Sequence, residues 1–183
     1  MEVEGAFIIN EKLNISGNLT ISENKVDSFT QYVDNWDTWG QSQIFHENSD
    51  LAFSPNIIWA AQANYNLNKR TKVIFNSKYV GEQYIDNTSS RQRMLNDYLI
   101  SNLQVDYNFN NYLFKDTKIS FLINNLFDIE YISNAWIYRY ITNTFDPRES
   151  DDYTSLASDG IYDMAGYFPQ AKRNYLLGIT LGF

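Results

Sequence analysis

A chain of 183 residues with an ordinary hydrophobic fraction of 44% is long enough for one domain with a sizeable core. It has no cysteine, which excludes disulfides and thiolate sites, and its net charge of −8 argues against nucleic-acid binding, which needs clustered Lys and Arg. No apolar run of about 18 residues is present, so no transmembrane helix is expected. Barrel strands of about ten alternating residues escape that test, and 14 Tyr and 12 Phe suit β-structure or a membrane interface.

The chain opens on Met1-Glu-Val-Glu-Gly-Ala-Phe7, which lacks a basic region, an apolar region and a cleavage site. Val3, Phe7 and Ile9 share one face of a first short strand, and Asn10 to Lys12 reads as a tight turn. Leu13, Ile15, Gly17, Leu19 and Ile21 then alternate with Asn14, Ser16, Asn18, Thr20 and Ser22, a half-buried strand whose polar face suits water. From Lys25 to Asp50 periodicity vanishes. This stretch reads as a long acidic loop holding Trp36, Trp39 and the only histidine, His46, which reads as a solvated loop residue.

A third strand places Ile57, Trp59, Ala61, Ala63 and Tyr65 on one face. A turn at Asn66 to Lys69 leads to a fourth, with Thr71, Val73, Phe75, Ser77 and Tyr79 aligned. Gly81 to Arg93 reads as a loop in which Arg91 and Arg93 are ordinary surface arginines. Leu99, Leu103, Val105, Tyr107 and Phe109 mark a fifth strand, 110–116 a turn, and Ile119, Phe121 and Ile123 a sixth. The region from Asn125 to Ala171 reads as the longest irregular stretch. Its acidic run Asp146-Pro-Arg-Glu-Ser-Asp-Asp152 lacks the glycine and spacing of a calcium loop and reads as a solvated face. The seventh strand is the clearest: Tyr175, Leu177, Ile179, Leu181 and Phe183 alternate with Asn174, Leu176, Gly178, Thr180 and Gly182.

Connections between these strands run short, long, short, medium, short and very long. Short turns at one end and long loops at the other are the mark of an outer-membrane barrel, and a sandwich has no reason to segregate them. The predicted fold is all-β, an antiparallel up-and-down transmembrane barrel segment. No catalytic constellation, cofactor motif or metal-ligand spacing stands out, so no enzyme is expected.

Four stretches resemble the carboxy-terminal part of a TonB-dependent receptor: Leu51-Ala-Phe-Ser-Pro-Asn56, the run from Lys78 to Thr88, the run from Ile123 to Tyr131, and the run from Tyr167 to Tyr175. Lys172 stands where that family often has glycine. Gly178-x-x-Leu181-x-Phe183 likewise resembles the terminal signal read by the barrel-assembly machinery, with Leu176 in place of its usual polar residue. The resemblance implies that residues 1–183 are about seven strands of a barrel of 22, without the plug and earlier strands. It also implies location in the outer membrane of a Gram-negative bacterium, contact with its lipids, and coupling to the TonB energy complex through the missing N-terminal region. Function would be energised import of a siderophore, vitamin or glycan, with Trp36, Trp39, His46, Trp136, Tyr138 and Tyr140 as ligand-facing loop candidates. A passive porin-like channel and a soluble β-rich binding module are the alternatives.

Overall fold

The computed structural model describes residues 1–109 and 116–182. Fourteen strands follow in order: β1 (Glu2–Ile8), β2 (Leu13–Ile21), β3 (Lys25–Asn35), β4 (Gly40–Asp50), β5 (Ile57–Asn66), β6 (Thr71–Val80) and β7 (Gln83–Tyr84). They continue with β8 (Met94–Leu95), β9 (Tyr98–Phe109), β10 (Asp116–Asn124), β11 (Ile132–Ile141), β12 (Thr154–Leu156), β13 (Tyr162–Pro169) and β14 (Asn174–Gly182).

The seven strands expected from period-two alternation form one antiparallel sheet in the order β1-β2-β5-β6-β9-β10-β14. Each wall strand pairs with the next in sequence, which makes the sheet an up-and-down wall. Its register carries the sequence pattern across the strands. Ile15, Ala63, Phe75, Leu103, Ile123 and Tyr175 align in one row of one face. Ser16, Gln62, Asn76 and Asn102 align in a neighbouring row of the other.

This wall is inside-out by the standard of a water-soluble domain. On β14, Leu177 is 70% and Ile179 63% exposed. Of the nine buried hydrophobic side chains among the described residues, only Val80 belongs to the wall. Burial of apolar surface normally drives folding, so an apolar face this open implies an apolar solvent against it. Stacked aromatic pairs lie on that face towards both ends, Trp59–Tyr79 at 6.1 Å and Tyr107–Phe109 at 5.8 Å between ring centroids. Such rings suit the borders of a bilayer.

Two expectations are corrected. Residues 25–50 are not an aperiodic loop but the hairpin β3–β4, paired from Lys25↔Asp50 to Asn35↔Gly40. Nor is 125–171 irregular throughout, because it contains β11, β12 and β13, which join that hairpin in a second sheet of order β12-β13-β11-β3-β4. Periodicity failed there because both faces mix apolar and polar side chains: Tyr32, Thr30 and Asp34 lie on one face of β3, Val33, Gln31 and Phe29 on the other. The expected turn over 110–115 and Phe183 of the assembly signal lie outside the described residues; Gly178 and Leu181 pair with Ser120 and Thr117.

Candidate functional site

All three long connections rise from the same end of the wall and fold together. The β3–β4 hairpin turns because the Asn35 side-chain oxygen accepts from the backbone N–H groups of Asp37 and Thr38, at 3.1 and 3.2 Å. Trp39 takes φ 56° there and stands 93% exposed at the tip. At the base, Lys25 Nζ donates to Asp50 Oδ1 at 2.6 Å, and Ser89 Oγ donates to Asp50 Oδ2 at 2.8 Å. The Lys25 hydrogen bond, helped by Ser89, outweighs partial desolvation and holds the Asp50 carboxyl below its ordinary range.

The hairpin meets β11 through a short parallel pairing, Tyr140↔Asp34 and Ile141↔Asn35. Aromatic side chains converge on that seam. Trp36 stacks on Tyr140 at 4.1 Å between centroids, and Tyr140, with no exposed surface, stacks on Tyr162 at 5.7 Å. Trp36 Nε1 donates to Tyr138 Oη at 3.2 Å, and Tyr138 Oη donates to Asp34 Oδ2 at 2.6 Å. Burial and the neighbouring Asp34 carboxylate both push the Tyr138 phenol up. Asp37 closes the seam, accepting from the backbone N–H and side-chain amide of Asn143 at 2.8 and 3.0 Å. Although partial desolvation pushes its carboxyl up, these bonds with those from Thr142 and Thr144 hold it low.

The opposite face carries a buried ionic cluster. Asp163 Oδ1 accepts from Arg139 Nε at 2.7 Å and Asp163 Oδ2 from Arg93 Nη1 at 3.0 Å, with all three side chains 5–6% exposed. Arg93 also donates to Asp86 and Thr88, and Arg139 to Asp159. Arg93 is therefore not an ordinary surface arginine: it ties the 81–97 connection to β13. Arg139 Nη1 reaches Gln31 Oε1 of the hairpin at 3.2 Å. The same oxygen meets His46 Nε2 at 3.0 Å, so that ring nitrogen is the donor. His46 is not a solvated loop residue either: it is half-buried on β4 and its ring stacks on Phe29 at 4.8 Å.

The six ligand-facing candidates thus divide. Trp36, Tyr138 and Tyr140 are brought together; Trp39 stands apart at the tip; His46 belongs to the opposite face. Trp136 is 45% exposed and lies over Gly166, where an added Cβ would collide with its Nε1. Sequence reasoning missed Arg93, Arg139 and Asp163. The run Ile132-Ser-Asn-Ala-Trp-Ile-Tyr-Arg-Tyr-Ile141, dense in β-branched and aromatic residues, was the available signal for β11. The acidic run is spent locally: Asp146 accepts from Arg148 Nε at 2.9 Å, and Asp151 from Tyr153 N and Thr154 Oγ1. Among the described residues no three His, Asp or Glu side chains are arranged to hold a metal ion.

A one-layer, inside-out wall with short turns at one end and folded loops at the other is the architecture of an outer-membrane β-barrel segment. Solved structures share it. The siderophore receptor PiuA from Acinetobacter baumannii matches 97% of this chain at a TM-score of 0.63 and 15% identity, over 20% of its own length. The ferric yersiniabactin uptake receptor FyuA from Yersinia pestis matches 97% at 0.51 and 15% identity, over 22% of its length. This chain therefore spans about a fifth of either receptor. No protein-family model matches the sequence, and none of the curated proteins does. The resemblance read from the sequence is met at the level of fold: the chain has the fold of a wall segment of a TonB-dependent receptor barrel.

Proposed function

We propose that residues 1–183 form part of an outer-membrane active transporter of a Gram-negative bacterium, supplying seven strands of a larger barrel and three of its extracellular connections. The observation that carries this reading is the inside-out wall, whose apolar face has no protein layer over it while its polar rows face the other way. In such a barrel the apolar face meets outer-membrane lipid, the short turns face the periplasm and the five-stranded loop sheet faces the outside. The barrel-assembly machinery would read the terminal strand through Gly178, Leu181 and Phe183.

The transported molecule would be a scarce siderophore, vitamin or glycan, met first by the exposed aromatics Trp39 and Trp136 and the edge of Trp36. Tyr138, Tyr140 and His46 would hold that surface in shape from behind. Import would draw on the TonB complex through the plug. The test uses the receptor that carries this chain. Uptake of its ligand should stop when the TonB complex is disabled, and replacing all six candidates by Ala should weaken ligand binding. Uptake that persists without TonB would instead make the protein a passive porin-like channel.

A further inference from the structure

Below the loop sheet lies a cleft of about 490 Å³, within the range of small-molecule sites. Its walls come from three segments of two of the long connections: Leu95 to Asp97 before β9, Glu130 to Ile132 at the start of β11, and Tyr167 to Lys172 at the end of β13 and before β14. The floor is preformed, because Leu95, Ile85 and Ala135 make the one buried hydrophobic cluster of the described residues and Ile132 packs against it. Tyr131 forms a side wall and is itself fixed by a tilted contact with Tyr98, at 4.5 Å between centroids. Tyr131 and Tyr98 also line a second hollow, over the amide row Gln62, Asn76 and Asn102 of the polar face. The cleft therefore adjoins the polar face of the wall at Tyr131.

Charge decides what fits. The three connections (22–56, 81–97 and 125–173) carry 17 carboxylates and 7 cations, whereas the rest of the chain carries 5 and 7. Six of those seven loop cations already lie within 4.0 Å of a carboxylate. Of the residues lining the cleft the only cation is Lys172, held by Glu130, and the Asp97 carboxylate, hydrogen-bonded by the Tyr79 phenol, has no cation partner among the described residues. An anionic guest would meet no free cation and two carboxylates. Apolar and aromatic walls with amide and carboxylate acceptors suit an uncharged molecule that has one flat apolar face and hydroxyl groups at its edge.

We infer that this cleft is a binding subsite for an uncharged, ring-bearing, hydroxylated small molecule, stacked on Tyr131 at the entrance to the polar face. The inference rests on the receptor reading above. It is tested on the detergent-solubilised receptor that carries this chain, by equilibrium dialysis of 4-nitrophenyl β-glucoside and of its anionic counterpart 4-nitrophenyl β-glucuronide. The glucoside should bind saturably, and the glucuronide at least about tenfold more weakly. Tyr131→Ala should weaken the glucoside about five- to tenfold, whereas Tyr131→Phe, which keeps the stacking face, should retain it. Tyr153→Ala, an exposed aromatic outside the cleft, controls for general effects. Absence of glucoside binding, equal binding of the glucuronide, or an unchanged Tyr131→Ala variant would overturn the cleft. If binding instead falls with Trp39→Ala or Trp136→Ala and not with Tyr131→Ala, the cleft is wrong while the loop-surface reading stands. Loss through Tyr131 alone upholds the cleft even if uptake proves independent of TonB.

Discussion

The two large sheets of the described residues are built on opposite principles. In the seven-stranded wall each strand pairs with the next wall strand, one face is mainly apolar and open and the other mainly polar, and in the proposed setting a bilayer supplies the missing layer. In the five-stranded loop sheet, segments more than a hundred residues apart pair, one contact is parallel, and both faces mix side chains. That sheet is held by buried aromatics and by a carboxylate shared between two guanidiniums. In the proposed membrane setting the wall draws its stability from lipid and backbone ladders, the loop sheet from specific side-chain contacts. Substitutions should therefore act on one sheet without the other.

The largest expected effect is Asp163→Ala, which leaves Arg93 and Arg139 buried without their shared carboxylate. Removing one partner of a buried pair costs roughly 3–5 kcal/mol. Hydrogen exchange should show β11, β13 and the hairpin opening while the wall amides stay protected; equal loss of protection in the wall would erase the distinction between the sheets. Next comes Ile179→Arg on the open face of β14, at about 2–4 kcal/mol if this position is near the bilayer midplane. Thr180→Arg, one residue on and on the other face, should cost far less, and folding yields into lipid vesicles measure the difference.

A smaller effect is expected of Gly166→Ala. The new Cβ drives Trp136 off the strand at about 1–3 kcal/mol, read as a change in Trp fluorescence with the wall unaffected. The smallest effect is on pH. Burial pushes the Asp159 carboxyl up, but its bond from Arg139 outweighs this and leaves it below the ordinary value, as the hydrogen bonds of Asp34 and Asp37 do for theirs. Groups depressed in the folded state stabilise it above the ordinary carboxyl value of about 3.9 and lose that contribution as pH falls through their folded values. Acidification below about pH 4 should therefore loosen the loop sheet before the wall. Hydrogen exchange across that range would show the order.

What the sequence made legible follows the same division. All seven wall strands were readable, because a one-layer sheet with one mainly apolar and one mainly polar face obliges every strand to alternate, as Tyr175 to Leu181 do on their apolar side. The loop sheet was not readable by alternation. Gln31, His46, Arg139 and Asp163 are polar residues placed inward, and their partners lie 15 to 108 positions away in sequence. Of the candidate site, the aromatic residue types were legible but their grouping was not. Trp36 and Tyr140 look alike in sequence, yet one is partly open at a hairpin end and the other has no exposed surface.

Residues 1–183 carry no cysteine, so once any cysteine elsewhere in the receptor is replaced the central claim can be tested with single spin labels. Cysteines placed in turn at Leu177, Gly178, Ile179, Thr180 and Leu181 of the receptor, reconstituted in vesicles, would be scanned for collision with oxygen and with a water-soluble nickel chelate. The account predicts strict alternation: Leu177, Ile179 and Leu181 open to oxygen and shielded from nickel, Gly178 and Thr180 the reverse. Uniform access to nickel along β14 would mean that this face meets water, and the membrane-wall reading would be contradicted.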